Sequence, residues 1–280
     1  MKIVFWAPVH GHTGQSANML AVSLMMAMKQ KKRLLLTQTQ FCVNDMEDAI
    51  VGRVGTKEIR ERFYQDMGID SLIRCIKRKR PDKADVENCC IQLLPNEDLV
   101  LLPGSQSSNY EVYSEILSET IVTLLNETEK YYDAVLIDAA PGIDKINDKL
   151  FETSDLVVVN LSQNIGVTDL FFRNIPEKLL RKKVFYLFGS YLSDSVFNIK
   201  NLRSRYPELK MKNSGVVPMN VGFMDALFES RLFNYFEENI ECEQWDVNYG
   251  FVRSVNQAVE LLDHLIGEVA TGKLNAKNKE

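Results

Sequence analysis

The sequence contains few of the residues that build disulfide frameworks or metal centres. It has five cysteines, an odd number with no Cys-x-x-Cys pair, and only three histidines. Disulfide scaffolds and zinc sites both need such residues at short, regular spacings. The cysteine pattern therefore argues against either kind of site and favours a reducing, cytoplasmic location. Two histidines, His10 and His12, lie close together, but nothing nearby in the sequence completes a metal site with them.

Long apolar runs and a large excess of one charge are also absent. No apolar stretch approaches the ~20 residues that a membrane-spanning helix needs. The sequence begins directly with an apolar, strand-like run, so we expect no signal peptide. A net charge of −5 gives no general attraction to nucleic acid or to anionic membranes. The 280 residues, 45% of them hydrophobic, suffice for one large α/β domain.

The interpretation depends most on a glycine-containing loop at residues 8–16 (PVHGHTGQS). The loop follows a short apolar run, KIVFWA, that is typical of a buried strand, and it precedes a stretch rich in Ala, Leu and Met that predicts a helix. Strand, glycine loop and helix in this order are typical of a phosphate-binding loop, because glycines let the backbone wrap around an anion and the helix start attracts it. The usual form, GxxxxGK[ST], adds a lysine for the β/γ-phosphates and a hydroxyl for magnesium.

The loop departs from that form at its charged position. The hydroxyl is present as Ser16, but Gln15 stands where the lysine is expected. Glutamine can donate hydrogen bonds to phosphate but carries no charge. From these residues alone, a phosphate site and an ordinary glycine-containing turn between a strand and a helix both stay open. If the loop binds phosphate, the candidate ligands are Gly11, His12, Thr13, Gly14, Gln15 and Ser16.

Beyond the loop, short apolar runs alternate with amphipathic segments. The runs predict strands at residues 34–40, 90–94, 99–102, 132–138, 156–161, 183–188 and 216–218. The amphipathic segments predict helices at residues 44–52, 110–131, 144–152, 168–180, 196–205, 223–236 and 251–266, and one or two helices at residues 57–79. Apolar strands that alternate with helices indicate a parallel sheet covered on both faces. The predicted fold is therefore α/β: a three-layer, doubly wound domain over residues 1–270, with a mostly parallel sheet of seven or eight strands and a polar tail at residues 271–280.

One of the predicted strands ends in a carboxylate, Asp138, within the segment VLIDAAPG at residues 135–142. This segment resembles the Walker B and switch II segment of the MinD/ParA family of deviant P-loop ATPases. Residues 10–16 (HGHTGQS) are similar to the KGGxGK[ST] loop of that family, residues 155–159 to its next strand, and residues 217–220 (VPMN) to the segment that lines the adenine. The resemblance covers nearly the whole chain in the right order. The TadZ/CpaE pilus-localisation branch also carries atypical phosphate loops, although many of its members have a receiver-like N-terminal domain that this sequence does not contain.

The resemblance implies a P-loop NTPase-like fold and a homodimer that binds ATP or ADP with magnesium between its subunits. By the same resemblance, Pro218 borders the base, and Ser16 and Asp138 hold the magnesium directly or through water. In the family, one loop lysine reaches across the dimer and a second binds phosphate in cis, while an aspartate after the second strand positions the attacking water. The corresponding positions here are His10, Gln15 and the carboxylate-free stretch 37–40 (TQTQ).

These departures predict weak or absent ATP hydrolysis. Phosphoryl transfer depends mainly on positioning and charge stabilisation, and each lost contact of this kind typically costs roughly 10²–10³ in rate. Nucleotide binding can persist through backbone N–H groups, magnesium and adenine contacts. His10 is the candidate for the cross-dimer contact, and it regains a charge only when protonated. Simple loop packing is the alternative for both histidines, and we assign no catalytic residue.

Three functions stay open. We favour a dimerising MinD/ParA-like nucleotide-binding protein that acts in positioning or partition; the alternatives are an active ATPase that drives partition or polar localisation, and a scaffold that binds no nucleotide. The resemblance implies a protein partner from a pilus, secretion or partition system. A basic run predicts binding to DNA or an acidic partner, or simply a solvated helix face; it consists of Arg74, Lys77, Arg78, Lys79 and Arg80. Apolar residues at helical spacing in residues 259–269 have an acidic polar side, which favours core packing over a membrane anchor.

Overall fold

An eight-stranded sheet organises the protein. The computed structural model describes residues 1–41, 45–52, 64–94 and 98–277, and within them the strand order is β3-β4-β2-β5-β1-β6-β7-β8. The strands are β1 (Lys2–Trp6), β2 (Leu34–Gln38), β3 (Ile91–Gln92), β4 (Leu99–Leu102), β5 (Ala134–Asp138), β6 (Leu156–Leu161), β7 (Lys183–Tyr191) and β8 (Ser214–Pro218). All neighbouring pairs are parallel except the edge pair β3 and β4, which is antiparallel.

The central strands are buried on both faces, as their apolar sequences predict. In β1, Ile3 and Phe5 face one hydrophobic cluster, while Val4 and Trp6 face the other. Such alternation is expected of a strand in a sheet that helices cover on both faces. The predicted α/β fold with three layers and a mostly parallel sheet is thereby confirmed.

Helices of different lengths form the two outer layers. They are α1 (Gln15–Gln30), α2 (Asp45–Val51), α3 (Gly68–Arg78), α4 (Lys83–Asn88), α5 (Tyr110–Thr128), α6 (Lys145–Thr153), α7 (Ile165–Arg173), α8 (Glu177–Leu180), α9 (Ile199–Arg205), α10 (Val221–Phe228), α11 (Leu232–Asn239) and α12 (Tyr249–Lys277). Residues of α1, α2, α10, α11 and α12 join one cluster, and residues of α3, α5, α6 and α7 join the other.

Helix α1 lies in the middle of its layer and follows directly after the central strand β1. Most of its side chains are buried, which agrees with an apolar sequence that has few polar positions. It ends at Lys31, which adopts a left-handed conformation and donates its N–H to the carbonyl of Met26. Because β1 and α1 are both fixed in the core, the loop between them is held at the carboxyl edge of the sheet.

Two helices predicted as continuous are in fact divided, so those predictions are wrong. The segment 168–180 forms α7 and α8, with Pro176 as the residue before α8. Proline has no N–H to donate, so a continuous helix through Pro176 would lose a backbone hydrogen bond. The segment 223–236 forms α10 and α11, separated at Ser230, whose φ of 56° is incompatible with a right-handed helix.

Helix α12 extends further than predicted and packs its apolar side on the sheet. Val259, Leu262 and Leu265 are buried in the core, as the helical spacing of these residues indicates. The helix continues to Lys277, so the predicted tail at residues 271–280 starts inside it, and residues 278–280 lie outside the described part. Across the described residues, no helix combines the length and apolar character that crossing a membrane requires.

Candidate functional site

Two glycines determine the path of the loop between β1 and α1. Gly11 has φ of 76° and Gly14 has φ of 64°, both in the left-handed region that glycine adopts without strain. Helix α1 begins immediately after Gly14, and no described side chain caps it. Since the first N–H groups of a helix have no partner within the helix, α1 directs these donors and the positive end of its dipole toward the loop.

The side chain of Gln15 turns into the protein rather than into the loop. Its Nε2 donates to the carbonyl of Phe5 at 3.1 Å, to Asp138 Oδ1 at 2.5 Å and to the carbonyl of Ala139 at 2.7 Å. All three partners accept hydrogen bonds, so they fix the orientation of the amide. The side-chain N–H groups are therefore used beneath the loop, and Gln15 offers an anion its backbone N–H at the start of α1.

Asp138 is fully buried and lies beside Ser16, as the magnesium prediction requires. Ser16 Oγ donates to Asp138 Oδ2 at 2.6 Å, and Gln40 Nε2 donates to the same oxygen at 2.9 Å. With Gln15 on Oδ1, both carboxylate oxygens have donors. Among the described residues, no group of three or more His, Cys, Asp or Glu side chains is placed to hold a metal ion. Magnesium would thus depend on Ser16, Asp138, water and phosphate oxygens.

Buried asparagines hold the rest of the loop against the sheet. Asn18 Nδ2 donates to the carbonyl of Thr13 and to Asn160 Oδ1, both at 3.0 Å. Asn160 lies on β6, next to the central strand, and is fully buried. Because these amides are removed from water, breaking one bond leaves a buried polar group without a partner. The loop therefore has a defined conformation before any ligand binds.

Two aromatic residues, Trp6 of β1 and Tyr113 of α5, fix the turn after β5 and the end of β2. Trp6 Nε1 donates to the carbonyl of Gly142 at 2.6 Å, and the indole packs edge-on against Phe151. Tyr113 donates its hydroxyl to the carbonyl of Thr39 at 2.7 Å, which fixes the end of β2. Burial raises the pKa of the Tyr113 phenol, so that group remains a protonated donor. The turn after β5 and the end of β2, which both lie near Asp138, are consequently held in place.

Strand β7 approaches the loop so closely that only glycine fits at position 189. A Cβ added there would lie far inside van der Waals distance of the Thr13 carbonyl oxygen and the Asn18 amide. We expect Gly189→Ala to lower the free energy of unfolding by about 1–3 kcal/mol, because the extra methyl must displace loop backbone. Chemical denaturation measures this change.

Gly267→Ala is the matched control for that substitution. Gly267 lies in α12, and an added Cβ meets no atom within 4 Å. Alanine is the better helix former, so this variant should gain up to about 1 kcal/mol. Equal effects of the two substitutions would contradict the close approach of β7 to the loop.

Above the loop lies a cavity of about 440 Å³, within the size range of small-ligand and cofactor sites. One side is polar and consists of the loop, Ser16 and Gln40. The other side is apolar and comes mainly from α1 and α10, with Leu20, Met224, Leu227 and Phe228 as lining residues. A phosphate group and a flat, apolar base have complementary surfaces here.

The charge of the cavity is unusual for a phosphate site. No lysine or arginine is among the described residues that line it; the ionisable side chains on its wall are His10 and Asp48. Asp138 lies directly beneath it, bonded to Ser16. The backbone N–H groups of the loop and α1 remain as donors for an anion, and they are neutral.

Solved structures resemble this arrangement over almost the whole chain. The ParA family ATPase from Chlorobium tepidum TLS superposes with a TM-score of 0.67 at 11% identity, covering 92% of this chain and 98% of that one. The septum site-determining protein MinD from Pyrococcus horikoshii OT3, complexed with Mg-ADP, gives 0.60 at 14% identity, with coverage of 96% and 99%. A putative plasmid partition protein from Borrelia burgdorferi B31, bound to AMPPNP, gives 0.61 at 15% identity, with coverage of 93% and 98%.

The chain has the ParA/MinD fold. The predicted resemblance to MinD and ParA is thus confirmed at the level of the fold. No family model matches the sequence, and no curated protein matches it either. At these low identities, what the site binds must be argued from its own residues.

Within the ParA/MinD fold, the predicted site residues do not all meet at the cavity. The loop residues Gly11, Thr13, Gly14, Gln15 and Ser16 line it together with His10. His12 is exposed and is not part of the cavity wall, and Pro218, at the end of β8, is not part of it either. The apolar wall is instead supplied by α10, the helix that follows β8.

Sequence reasoning did not identify several residues that shape the site. Asp48 and the buried pair Asn18 and Asn160 carry no recognisable motif, whereas Gln40 belongs to the stretch 37–40 that the resemblance to MinD and ParA places near the site. Gly189 did leave a signal, because a glycine inside an otherwise apolar strand pattern often marks a close backbone approach. The backbone there is indeed irregular: the pairing of β7 with β8 shifts between Phe188 and Tyr191.

The basic run predicted as a DNA candidate lies at the end of α3 and is partly neutralised. Lys79 forms an ion pair with Asp85 at 2.8 Å, and Arg80 lies 3.7 Å from Glu127. The hydrogen bond that Lys79 donates to the Asp85 carboxylate raises the pKa of Lys79. Arg74 donates to the carbonyl of Gln65, while Lys77 and Arg78 are exposed. DNA binding through this run stays a prediction, with fewer uncompensated charges than the sequence suggests.

Proposed function

We propose that this protein is a nucleotide-binding positioning or partition protein of the MinD/ParA kind, with weak or absent ATP hydrolysis. One observation carries the proposal: a loop with left-handed Gly11 and Gly14, followed by the uncapped start of α1, faces a cavity of nucleotide size. The side chain at the lysine position of this loop is neutral and directed beneath it. The geometry thus favours nucleotide binding, and the neutral side chain at the lysine position disfavours ATP hydrolysis.

Binding is supported by donors that do not depend on side-chain charge. Gly11 and Gly14 leave the loop backbone open, and the uncapped start of α1 attracts an anion. The apolar side formed by Leu20, Met224 and Leu227 suits a purine. The P. horikoshii MinD and the B. burgdorferi partition protein, which share the fold, are complexed with Mg-ADP and AMPPNP. ATP or ADP is accordingly the proposed ligand.

Ser16 and Asp138 would hold magnesium. Their side-chain oxygens lie 2.6 Å apart, and oxygen ligands together with phosphate and water are what magnesium prefers. When bound, the ion would supply the positive charge that the described residues of the cavity lining lack. The hydroxyl of Ser16 must then turn from Asp138 to the ion, while Gln15 and Gln40 continue to hold the carboxylate.

We expect weak ATP hydrolysis because no lysine or arginine is among the described residues that line the cavity. A triphosphate carries about four negative charges, and the transition state of phosphoryl transfer needs that charge stabilised. Gln15 contributes none, His10 contributes one only when protonated, and Gln40 offers an amide where a carboxylate would orient water. We therefore propose that nucleotide acts here as a structural ligand.

A second candidate is a scaffold that binds no nucleotide. It is favoured by the closed network under the loop, because Gln15, Ser16 and Gln40 already satisfy Asp138. The two candidates differ in whether nucleotide stabilises the protein.

We propose a homodimer formed around the cavity mouth, with a cytoplasmic pilus, secretion or partition system as its context. Three large apolar side chains are more than half exposed near the carboxyl edge of the sheet: Ile143, Leu192 and Phe228. Such exposed apolar residues favour association. His10, which is exposed and lines the same cavity as Phe228, is the proposed contact to the partner's nucleotide.

Thermal unfolding with and without nucleotide tests the proposal. A ligand at about ten times its Kd adds about 1.4 kcal/mol, which we expect to raise the Tm by about 3 °C for a chain of this size. Magnesium with millimolar ATP or ADP should produce that shift, and phosphate release should equal the blank.

Two loop variants make the result specific. Ser16→Ala should lose the magnesium-dependent part of the shift, whereas His12→Ala, exposed and away from the cavity wall, should keep all of it. The absence of any shift in the wild-type protein would favour the scaffold. Phosphate release that Ser16→Ala abolishes would favour an active ATPase.

A further inference from the structure

A patch of four exposed apolar residues lies beyond the end of β8, outside the cavity lining. We call it the Trp245 patch; its members are Met219, Val221, Trp245 and Val247. Trp245 is 85% exposed and Val247 is 90% exposed, and Met219 and Val221 are also more than half exposed. Large apolar side chains grouped at the surface in this way are typical of an interaction site.

The two segments that form the patch are joined by hydrogen bonds. Asn220, between Met219 and Val221, donates from Nδ2 to Asn248 Oδ1 at 2.9 Å. Asn248 in turn directly follows Val247, so the four apolar residues lie on adjacent backbone segments. This bond brings the segment of Met219 and Val221 beside the segment that carries Trp245 and Val247.

Further hydrogen bonds of Asn220 and Asn248 fix the backbone on both sides of the patch. Asn248 Nδ2 donates to Asn239 Oδ1 at 2.8 Å, and the Asn248 N–H donates to Asp246 Oδ1 at 2.7 Å. Tyr235 donates its hydroxyl to Asn220 Oδ1 at 3.1 Å. A side chain presented by a fixed backbone loses little entropy on binding, and tryptophan is the residue most enriched at binding hot spots.

The surroundings of the patch are strongly acidic. Between Arg231 and Arg253 the chain contains no lysine or arginine, and Arg231 itself pairs with Glu229. The same interval contains five acidic residues, four of them exposed and Asp246 half-buried: Glu237, Glu238, Glu241, Glu243 and Asp246. The segment that carries Trp245 is thus strongly acidic.

This charge decides between possible occupants. A second copy docked on the same patch through a two-fold axis would bring the acidic residues of both copies together. Anionic membranes and nucleic acids are repelled for the same reason. A basic partner is attracted, and the exposed face of an indole binds lysine and arginine through cation–π interactions.

We propose that the Trp245 patch docks a Lys/Arg-rich, amphipathic segment of a partner protein. Apolar side chains of the segment would cover Val221 and Val247, and its basic side chains would meet the indole and the acidic residues. This inference goes beyond the proposed function and needs no nucleotide, so each can fail without the other.

Tryptophan fluorescence tests the docking directly, because the chain has two tryptophans and Trp6 is only 1% exposed. Acrylamide should therefore quench mainly Trp245. The probe is an amphipathic helical peptide of Lys and Leu, and its matched peptide carries Glu in place of Lys. The Lys peptide should shift the emission to the blue and protect Trp245 from quenching, and its affinity should fall as salt is raised.

Variants separate docking from general charge attraction. Trp245→Ala, followed by binding of a labelled peptide, should weaken the affinity about tenfold. The pair Glu241→Gln and Glu243→Gln should weaken it as well, whereas the pair Glu115→Gln and Glu119→Gln, exposed on α5, should leave it unchanged.

Four outcomes would overturn the proposal. The first is no response of Trp245 to the Lys peptide at low salt, and the second is an equal response to the Glu peptide. The third is a blue shift with phosphatidylglycerol vesicles but not with the peptide, which would indicate a lipid surface. The fourth is a blue shift that depends on protein concentration alone, which would indicate a second copy of the chain.

Discussion

Gln15→Lys should bind ATP at least about tenfold more tightly than the wild-type protein, the largest gain that one substitution in the loop can give. Gln15 is one of the residues that line the cavity, but its amide lies beneath the loop, 2.5 Å from Asp138. The ammonium of a lysine at this position would have to turn from Asp138 into the cavity, where it would lie beside phosphate in a partly buried site and a charge pair is worth several times more than in water. Titration with a fluorescent ATP analogue measures the change.

Gln15→Met is the matched control for the lysine variant. Methionine has a similar length but donates no hydrogen bond, so Phe5, Asp138 and Ala139 each lose a donor. We expect unchanged nucleotide affinity and a loss of about 1–3 kcal/mol in stability. If the lysine variant folds and binds ATP no more tightly than wild type, the prediction is wrong: either the new ammonium pairs with Asp138 beneath the loop, or the loop is not a phosphate site.

The fold could be predicted because its strands are apolar throughout and are separated by helical segments. Burial on both faces requires such sequences, and β1, β5 and β6 have them. The neighbourhood of Ser16 and Asp138 was predictable for a related reason. Both follow parallel strands that are adjacent in the sheet, and the carboxyl ends of such strands meet at one edge.

The direction of the Gln15 side chain could not be predicted from the sequence. Its orientation depends on three acceptors, of which only Asp138 offers a side chain, and backbone carbonyls leave no trace in a residue pattern. The breaks before α8 and α11 had weak signals. Pro176 is a visible helix breaker, but the left-handed Ser230 follows from how α10 and α11 pack.

The apolar wall of the cavity was also beyond sequence reasoning. The resemblance to MinD and ParA directed attention to Pro218, whereas α10 contributes Met224, Leu227 and Phe228 to the lining. Apolar residues on a short helix have the same pattern whether they face a core or a cavity. Only the packing of α10 against α1 and α2 distinguishes these cases.

Asp138→Ala should lower the free energy of unfolding by about 3–5 kcal/mol, the largest stability loss expected from any single substitution in the site. The carboxylate is fully buried and accepts hydrogen bonds from Gln15, Ser16 and Gln40. Its removal leaves three donors in a space that the new methyl group cannot fill. Urea denaturation measures the loss, and the Tm should fall by about 10 °C.

Asp144→Ala provides the comparison, since it makes the same chemical change at a helix start. Asp144 accepts a hydrogen bond from the N–H of Asn147 at 2.7 Å as the N-cap of α6, and losing such a cap typically costs about 1 kcal/mol. A loss at Asp138 no larger than the loss at Asp144 would mean that the donors beneath the loop find water or other acceptors. In that case the network does not fix Gln15, and its amide would be free to turn toward phosphate.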